Sequence, residues 1–97
     1  MIRHIALLTF VPGTGRDEIG RIESALAGLP DRLPGLRRYA YGRDLGIDAG
    51  NADFAVVAEL DDEAAYAEYR DDPEHRRIID ELIRPVLAGR TAVQFRV

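Results

Sequence analysis

Apolar and polar positions alternate from the first residues onward: Ile2, His4, Ala6, Leu8 and Phe10 fall on one side, and Ile5, Leu7, Thr9 and Val11 on the other. A period of two predicts a strand over 2–11, and both of its faces are apolar. The stretch "PGTGRDE" supplies turn residues, with Thr14 and Asp17 at the spacing of a helix-capping pair. Ile19, Ile22, Leu26 and Leu29 then form one apolar stripe, predicting a helix that runs to about Leu29 and is ended by Gly28, Pro30 and Pro34. The segment "GLRRYAYGRDLG" reads as a second strand, with Leu36, Arg38 and Ala40 on one side and Arg37, Tyr39 and Tyr41 on the other. "GIDAGNAD" reads as a surface loop.

A third strand is predicted over "FAVVAEL", with Phe54, Val56, Ala58 and Leu60 opposite Ala55 and Val57. It is again apolar on both sides. Asp61 or Asp62 caps a short helix reaching Tyr69, and a further helix opens at Asp72 with Ile78, Ile79, Leu82, Ile83 and Val86 as its apolar stripe. Pro85 has no amide hydrogen for the carbonyl of Glu81, so this helix should bend or stop near its end. "TAVQFRV" closes the chain as a fourth strand. The order β-α-β-β-α-β over residues 1–97 predicts one α+β domain of ferredoxin-like type, a four-stranded antiparallel sheet with helices on one face. The free face of such a sheet is ordinarily polar, whereas strands one and three are apolar on both sides. No residues remain for a third layer, so a second copy of the chain is expected to cover that face as a homodimer.

Composition narrows the classes of function. The net charge of −4 comes from thirteen Lys plus Arg dispersed among seventeen Asp plus Glu, without the basic stripe that nucleic acid selects. There is no cysteine, hence no thiolate nucleophile or ligand, which suits a reducing cytoplasm. No secretory signal is legible in "MIRHIALLTFVPG", and no apolar run reaches the roughly twenty residues of a membrane span. A soluble cytoplasmic protein is expected. The glycine-containing turns lack phosphate-loop spacing, and the histidines and carboxylates show no metal-ligand spacing, so neither a metal nor another cofactor is expected.

The chemistry-bearing stretch is "YRDDPEH", Tyr69 to His75. Asp72, Pro73 and Glu74 are accounted for as a helix start: an amide-accepting cap, a proline at the first turn, and a carboxylate at the positive helix end. His75 lies one turn above Ile78, Ile79 and Leu82 on the inward side. Partial burial and the helix start both disfavour an imidazolium there, leaving a neutral ring able to accept a proton. A half-buried histidine with a purely structural bond is the competing reading. Tyr69 by pattern is also a core aromatic, and His4 a satisfied core histidine.

Three segments, "RHIALLTF", "LPGLRRYAYGRDL" and "YRDDPEHRRIIDELIRPVL", resemble the stress-responsive A/B barrel domain family over essentially the whole chain. That family shows a histidine opening strand one, a Pro-Gly turn before strand two and a Tyr-x-x-His-Pro-x-His segment. The resemblance implies a dimeric α+β barrel. The family includes a cofactor-free plant polyketide cyclase, olivetolic acid cyclase, which works by aldol condensation. By motif, its base falls on His75, its assisting tyrosine on Tyr69, and a polar pocket contact on His4. The implied pocket wall is Ala6, Leu8, Ile22, Leu26, Val56, Ile78 and Val86, suited to a hydrophobic or polyketide small molecule. Two departures stand out: Asp72 replaces the segment's first histidine, and Phe54 falls at or near a pocket histidine of strand three. The expectation is a dimeric binder of a hydrophobic small molecule and a cyclase-like enzyme using His75 as base. The alternatives are a non-catalytic stress-responsive module and a cofactor-independent monooxygenase on the same barrel.

Overall fold

A computed structural model describes residues 1–97. Strands β1 (Ile2–Phe10), β2 (Leu36–Arg43), β3 (Phe54–Leu60) and β4 (Leu87–Arg96) form one sheet in the order β2-β3-β1-β4, every neighbouring pair antiparallel. Helix α1 (Arg16–Leu26) and a single turn, α2 (Leu29–Arg32), lie between β1 and β2; α3 (Glu63–Asp71) and α4 (Pro73–Ile78) lie between β3 and β4. This is the ferredoxin-like architecture that the element order predicts. Its third strand spans the residues expected from their alternation, because Phe54 to Leu60 contains no competing helix signal.

The helix starts follow from local hydrogen bonding. Asp62 caps α3 by accepting the amide of Ala65 at 2.8 Å, and Asp72 caps α4 by accepting that of His75 at 3.0 Å. At α1 the expected Thr14–Asp17 pair is displaced by one residue. The cap is Gly15, whose amide donates to the Glu18 carboxylate at 3.1 Å, while the Thr14 hydroxyl turns back to the Val11 carbonyl at 2.7 Å. The helix also stops sooner than expected, at Leu26; the following residues make the separate turn α2 around Pro30. Beyond α4 the chain widens into a π turn over Ile79–Ile83 and then tightens to a 3-10 turn over Arg84–Val86. Pro85 sits in that last turn, where its missing amide hydrogen rules out an α-type bond to Glu81.

Two strand features depart from simple alternation. β2 carries a bulge at Arg37: Leu36 pairs with Leu60 and Arg38 with Glu59, leaving Arg37 as the extra residue. Leu36 therefore shares the helix side with Tyr39 instead of opposing it. β4 begins at Leu87, not at Thr91, because its residues pair with β1 from Phe10 onward despite the glycine at 89.

The core lies between sheet and helices. Ala6, Leu8 and Phe10 of β1 and Phe54, Val56, Ala58 and Leu60 of β3 meet Ile22 and Leu26 of α1, Tyr69 of α3 and Ile78 of α4. Leu36 and Val86 close its ends. The other sheet face carries Leu7, Val93 and Phe95, which are 41%, 55% and 44% exposed. Within that face Glu59 accepts from Arg3 Nε at 3.0 Å.

Candidate functional site

A cleft of about 370 Å³ opens between the helix side of the sheet and the α3–α4 segment. Its floor comes from His4, Ala6 and Leu8 of β1, Tyr39 of β2 and Val56 of β3; its walls come from Leu26, Tyr66, Tyr69, His75, Ile79 and Ile83. Arg70, Arg76, Arg84, Leu87 and Arg90 surround its mouth. Of the residues expected at a site, His4, Ala6, Leu8, Leu26, Val56, Tyr69 and His75 are thus brought together around one concavity. Ile22, Phe54, Ile78 and Val86 are not: they are buried in the core behind it, filling the contact between helices and sheet. The last of these sits in the 3-10 turn immediately before β4.

His75 is held from two directions. Its ring stacks on Tyr69, with centroids 4.2 Å apart and planes inclined by 30°. Its Nδ1 lies 3.2 Å from the carbonyl oxygen of Arg70. A carbonyl can only accept, so Nδ1 carries the proton and the lone pair resides on Nε2. Burial is the main cause that holds the His75 pKa below the ordinary imidazole value, with the Arg76 charge acting in the same direction and the Arg70 carbonyl opposing both. The ring is therefore neutral at pH 7.

His4 shows the complementary arrangement. It is 4% exposed, and the side-chain amide nitrogen of Gln94 in β4 lies 2.8 Å from its Nδ1 and 3.3 Å from the Tyr66 hydroxyl. With that amide donating, Nδ1 accepts and the proton sits on Nε2. Burial depresses this pKa first, followed by the charges of Arg90 and of His75. The His4 ring lies 5.2 Å from Tyr66 and 6.3 Å from Tyr69, centroid to centroid.

Behind these rings, the Tyr39 and Tyr69 hydroxyls are 2.9 Å apart. Burial pushes the Tyr69 pKa up to about 12 and raises that of Tyr39 as well, so both are neutral phenols. Two of these partners escape a sequence reading for identifiable reasons. Tyr39 shares the helix side of the sheet with the core residue Leu36 only because of the Arg37 bulge, and Gln94 is recognised only through its register opposite His4. Arg90 belongs to the part of β4 that resembles a loop.

Two layers, one antiparallel sheet and a cleft closed by the second helical crossover define a ferredoxin-like α+β protein. A family model for the stress responsive A/B barrel domain matches residues 2–97, and the chain belongs to that family. Among solved structures, a dimeric ferredoxin-like protein of unknown function from Thermobifida fusca is 47% identical, with a TM-score of 0.92 over 99% of this chain and 90% of that one. A Dabb family protein from Mesorhizobium loti is 20% identical, with a TM-score of 0.80 over 99% and 95% of the two chains. The hydroxynitrile lyase of Passiflora edulis is 17% identical, with a TM-score of 0.83 over 99% and 87%. The last two likenesses concern the fold alone. No functionally curated protein matches the chain. No helix is long and apolar enough to cross a membrane.

Proposed function

We propose that the chain is a cofactor-free enzyme of the proton-transfer type, binding a hydrophobic, polyketide-like small molecule in the α3–α4 cleft with His75 as general base. The observation that carries this reading is the bond from His75 Nδ1 to the Arg70 carbonyl, which commits the ring to a tautomer with a basic Nε2 on a cleft-lining side chain. In the reaction, Nε2 takes a proton from a carbon flanked by two carbonyls, and the C–H electron pair moves into an enolate. The enolate carbon attacks a second carbonyl of the same molecule, forming a C–C bond, and the resulting alkoxide recovers the proton from the imidazolium. His4, with its proton on Nε2, donates to the enolate oxygen as charge develops there. Tyr69 keeps the His75 ring in place by stacking. The Passiflora protein of the same fold is a hydroxynitrile lyase, which accords with an enzyme on this scaffold.

The test is cyclisation of a poly-β-ketone, or deuterium uptake at the carbon between its carbonyls, by wild type and His75→Ala. A loss of about 10²- to 10⁴-fold is expected on removal of a general base. Equal rates would remove His75 as the base.

The second part of the proposal is assembly. The exposed Leu7, Val93 and Phe95 of the open sheet face, with Leu45 and Ile47 at 84% and 77% exposure on the β2–β3 loop, form an apolar surface suited to a second copy of the chain. The 47% identical Thermobifida protein is dimeric, and so are the ferredoxin-like relatives from Bacteroides fragilis and a Jannaschia species.

A further inference from the structure

Every basic side chain other than the two histidines is an arginine, and most of the thirteen are neutralised. All but four have a carboxylate within 4.0 Å; the exceptions are Arg16, Arg21, Arg76 and Arg90. Arg16 and Arg21 are exposed on α1. Arg76 and Arg90 both line the His75 cleft, one from α4 beside the base and the other from β4 opposite Leu8. In a chain of net charge −4, two unneutralised guanidinium groups thus face one concavity whose floor carries the apolar Ala6, Leu8 and Val56. Arg84, paired with Asp80 at 2.9 Å, and Arg70, paired with Asp71 at 2.9 Å, flank them at the same mouth. Each of the two bare charges also acts on a cleft histidine, Arg90 on His4 and Arg76 on His75, so their field reaches the site of the proposed chemistry.

Guanidinium groups without a protein partner at the rim of an apolar pocket match an amphipathic anion: the body leaves water for the floor, and the oxygen head group offsets the paired positive charge. We propose that the ligand of this cleft is an organic acid, with its apolar or aromatic body against Ala6, Leu8 and Val56 and its anionic oxygen head group, carboxylate or phosphate, held at the mouth by Arg76 and Arg90. This rests on the cleft being the ligand site and names the substrate class for it. At about 370 Å³ the space suits a compact acid, at the small end of ordinary ligand pockets.

The experiment is a titration of the full chain with three probes of one shape: 1-naphthoate, 1-naphthyl phosphate and the neutral 1-naphthamide. At least one of the two anions is expected to bind about 10-fold or more tightly than the amide, the effect of a charge-assisted contact, and added NaCl should erode only that advantage. Whichever anion leads identifies the head group. Arg76→Gln and Arg90→Gln should each reduce anion affinity severalfold, with amide affinity unchanged, and Arg→Lys should restore part of the loss. Equal binding of acid and amide by wild type, or arginine variants that weaken all probes alike, would overturn the inference. So would an absence of binding by all three, which would remove the ligand cleft as well. His75→Ala separates the two proposals: a retained acid preference with undiminished proton transfer upholds the anion site and defeats the base, whereas acid–amide equality with abolished transfer does the reverse.

Discussion

The Tyr69 ring is the surface on which His75 rests: the two are stacked with centroids 4.2 Å apart, and the Tyr69 hydroxyl is in turn 2.9 Å from that of Tyr39. A chain of contacts therefore runs from β2 through α3 to the histidine of α4. Each link is a side chain from a different element, so the position of His75 reports on the packing of all three.

Removing the phenol hydroxyls tests that chain. Tyr69→Phe removes the partner of the part-buried Tyr39 hydroxyl and is expected to cost about 1 kcal/mol in urea unfolding. The double variant Tyr39→Phe/Tyr69→Phe should cost less than the sum of the singles, since the second change removes the orphaned group. Additive losses would mean that the two hydroxyls do not interact in solution.

The lowered histidine pKa values have a definite sign in stability. Both His4 and His75 are held below the value of 6.5 they take when unfolded, so the unfolded chain binds more protons as the solution becomes acidic. Their contribution to stability is complete above about pH 6.5 and falls as the pH drops toward their folded values, with a slope of at most about 1.4 kcal/mol per pH unit for each ring. Denaturant melts from pH 5 to 8 should show this loss, and His75→Gln should flatten it. Catalysis through His75 would fall on the acid side of the same window.

Asp72 has two partners that can be separated. Its carboxylate caps α4 through the His75 amide and also pairs with Arg32 at 3.0 Å, a contact that holds its pKa below the ordinary range. Asp72→Ala is expected to cost about 1 kcal/mol or somewhat more through the lost cap, and Asp72→Asn only a few tenths because asparagine also caps. Equal costs would shift the weight to the ion pair.

Gly35 is a packing constraint at the start of β2. A Cβ there would lie 2.6 Å from the Ala65 Cβ of α3. Gly35→Ala should therefore destabilise by about 1–3 kcal/mol, and Gly35→Ala/Ala65→Gly should recover much of it. Thermal melts of the two variants decide the matter.

Charge placed on the open sheet face tests the assembly. Wild type is expected to run at twice the 10.8 kDa chain mass in light scattering, and Val93→Asp or Leu7→Asp at the single-chain mass. A wild-type monomer would leave the exposed apolar face unexplained.

The legible parts of the fold are those where one local rule acts alone. Phe54 to Leu60 contains no competing helix signal and Asp72 has no rival for its cap, so that strand and that helix start could be read directly, whereas at α3 the adjacent Asp61 and Asp62 are told apart only by which one accepts the Ala65 amide. At Gly15, two adjacent residues compete for one cap, and the winner is decided by where Thr14 finds a carbonyl. The bulge at Arg37 and the early start of β4 are properties of pairing between strands, invisible within either strand. The same division applies to the candidate site. His4, Tyr69 and His75 stand out by residue type, while Tyr39, Gln94 and Arg90 acquire their places only from the partner opposite them.

The π turn over Ile79–Ile83 has a consequence at the level of the gene. A wide turn holds one more residue than an α-helix spanning the same flanks, and here two residues of that turn, Ile79 and Ile83, form part of the cleft wall. Deleting a single codon between them would let the segment close into a regular helix with its ends in place. The wall would then be rewritten while the sheet, its caps and its open face stayed as they are, so the shape of the cleft can evolve by a one-codon step without a new fold.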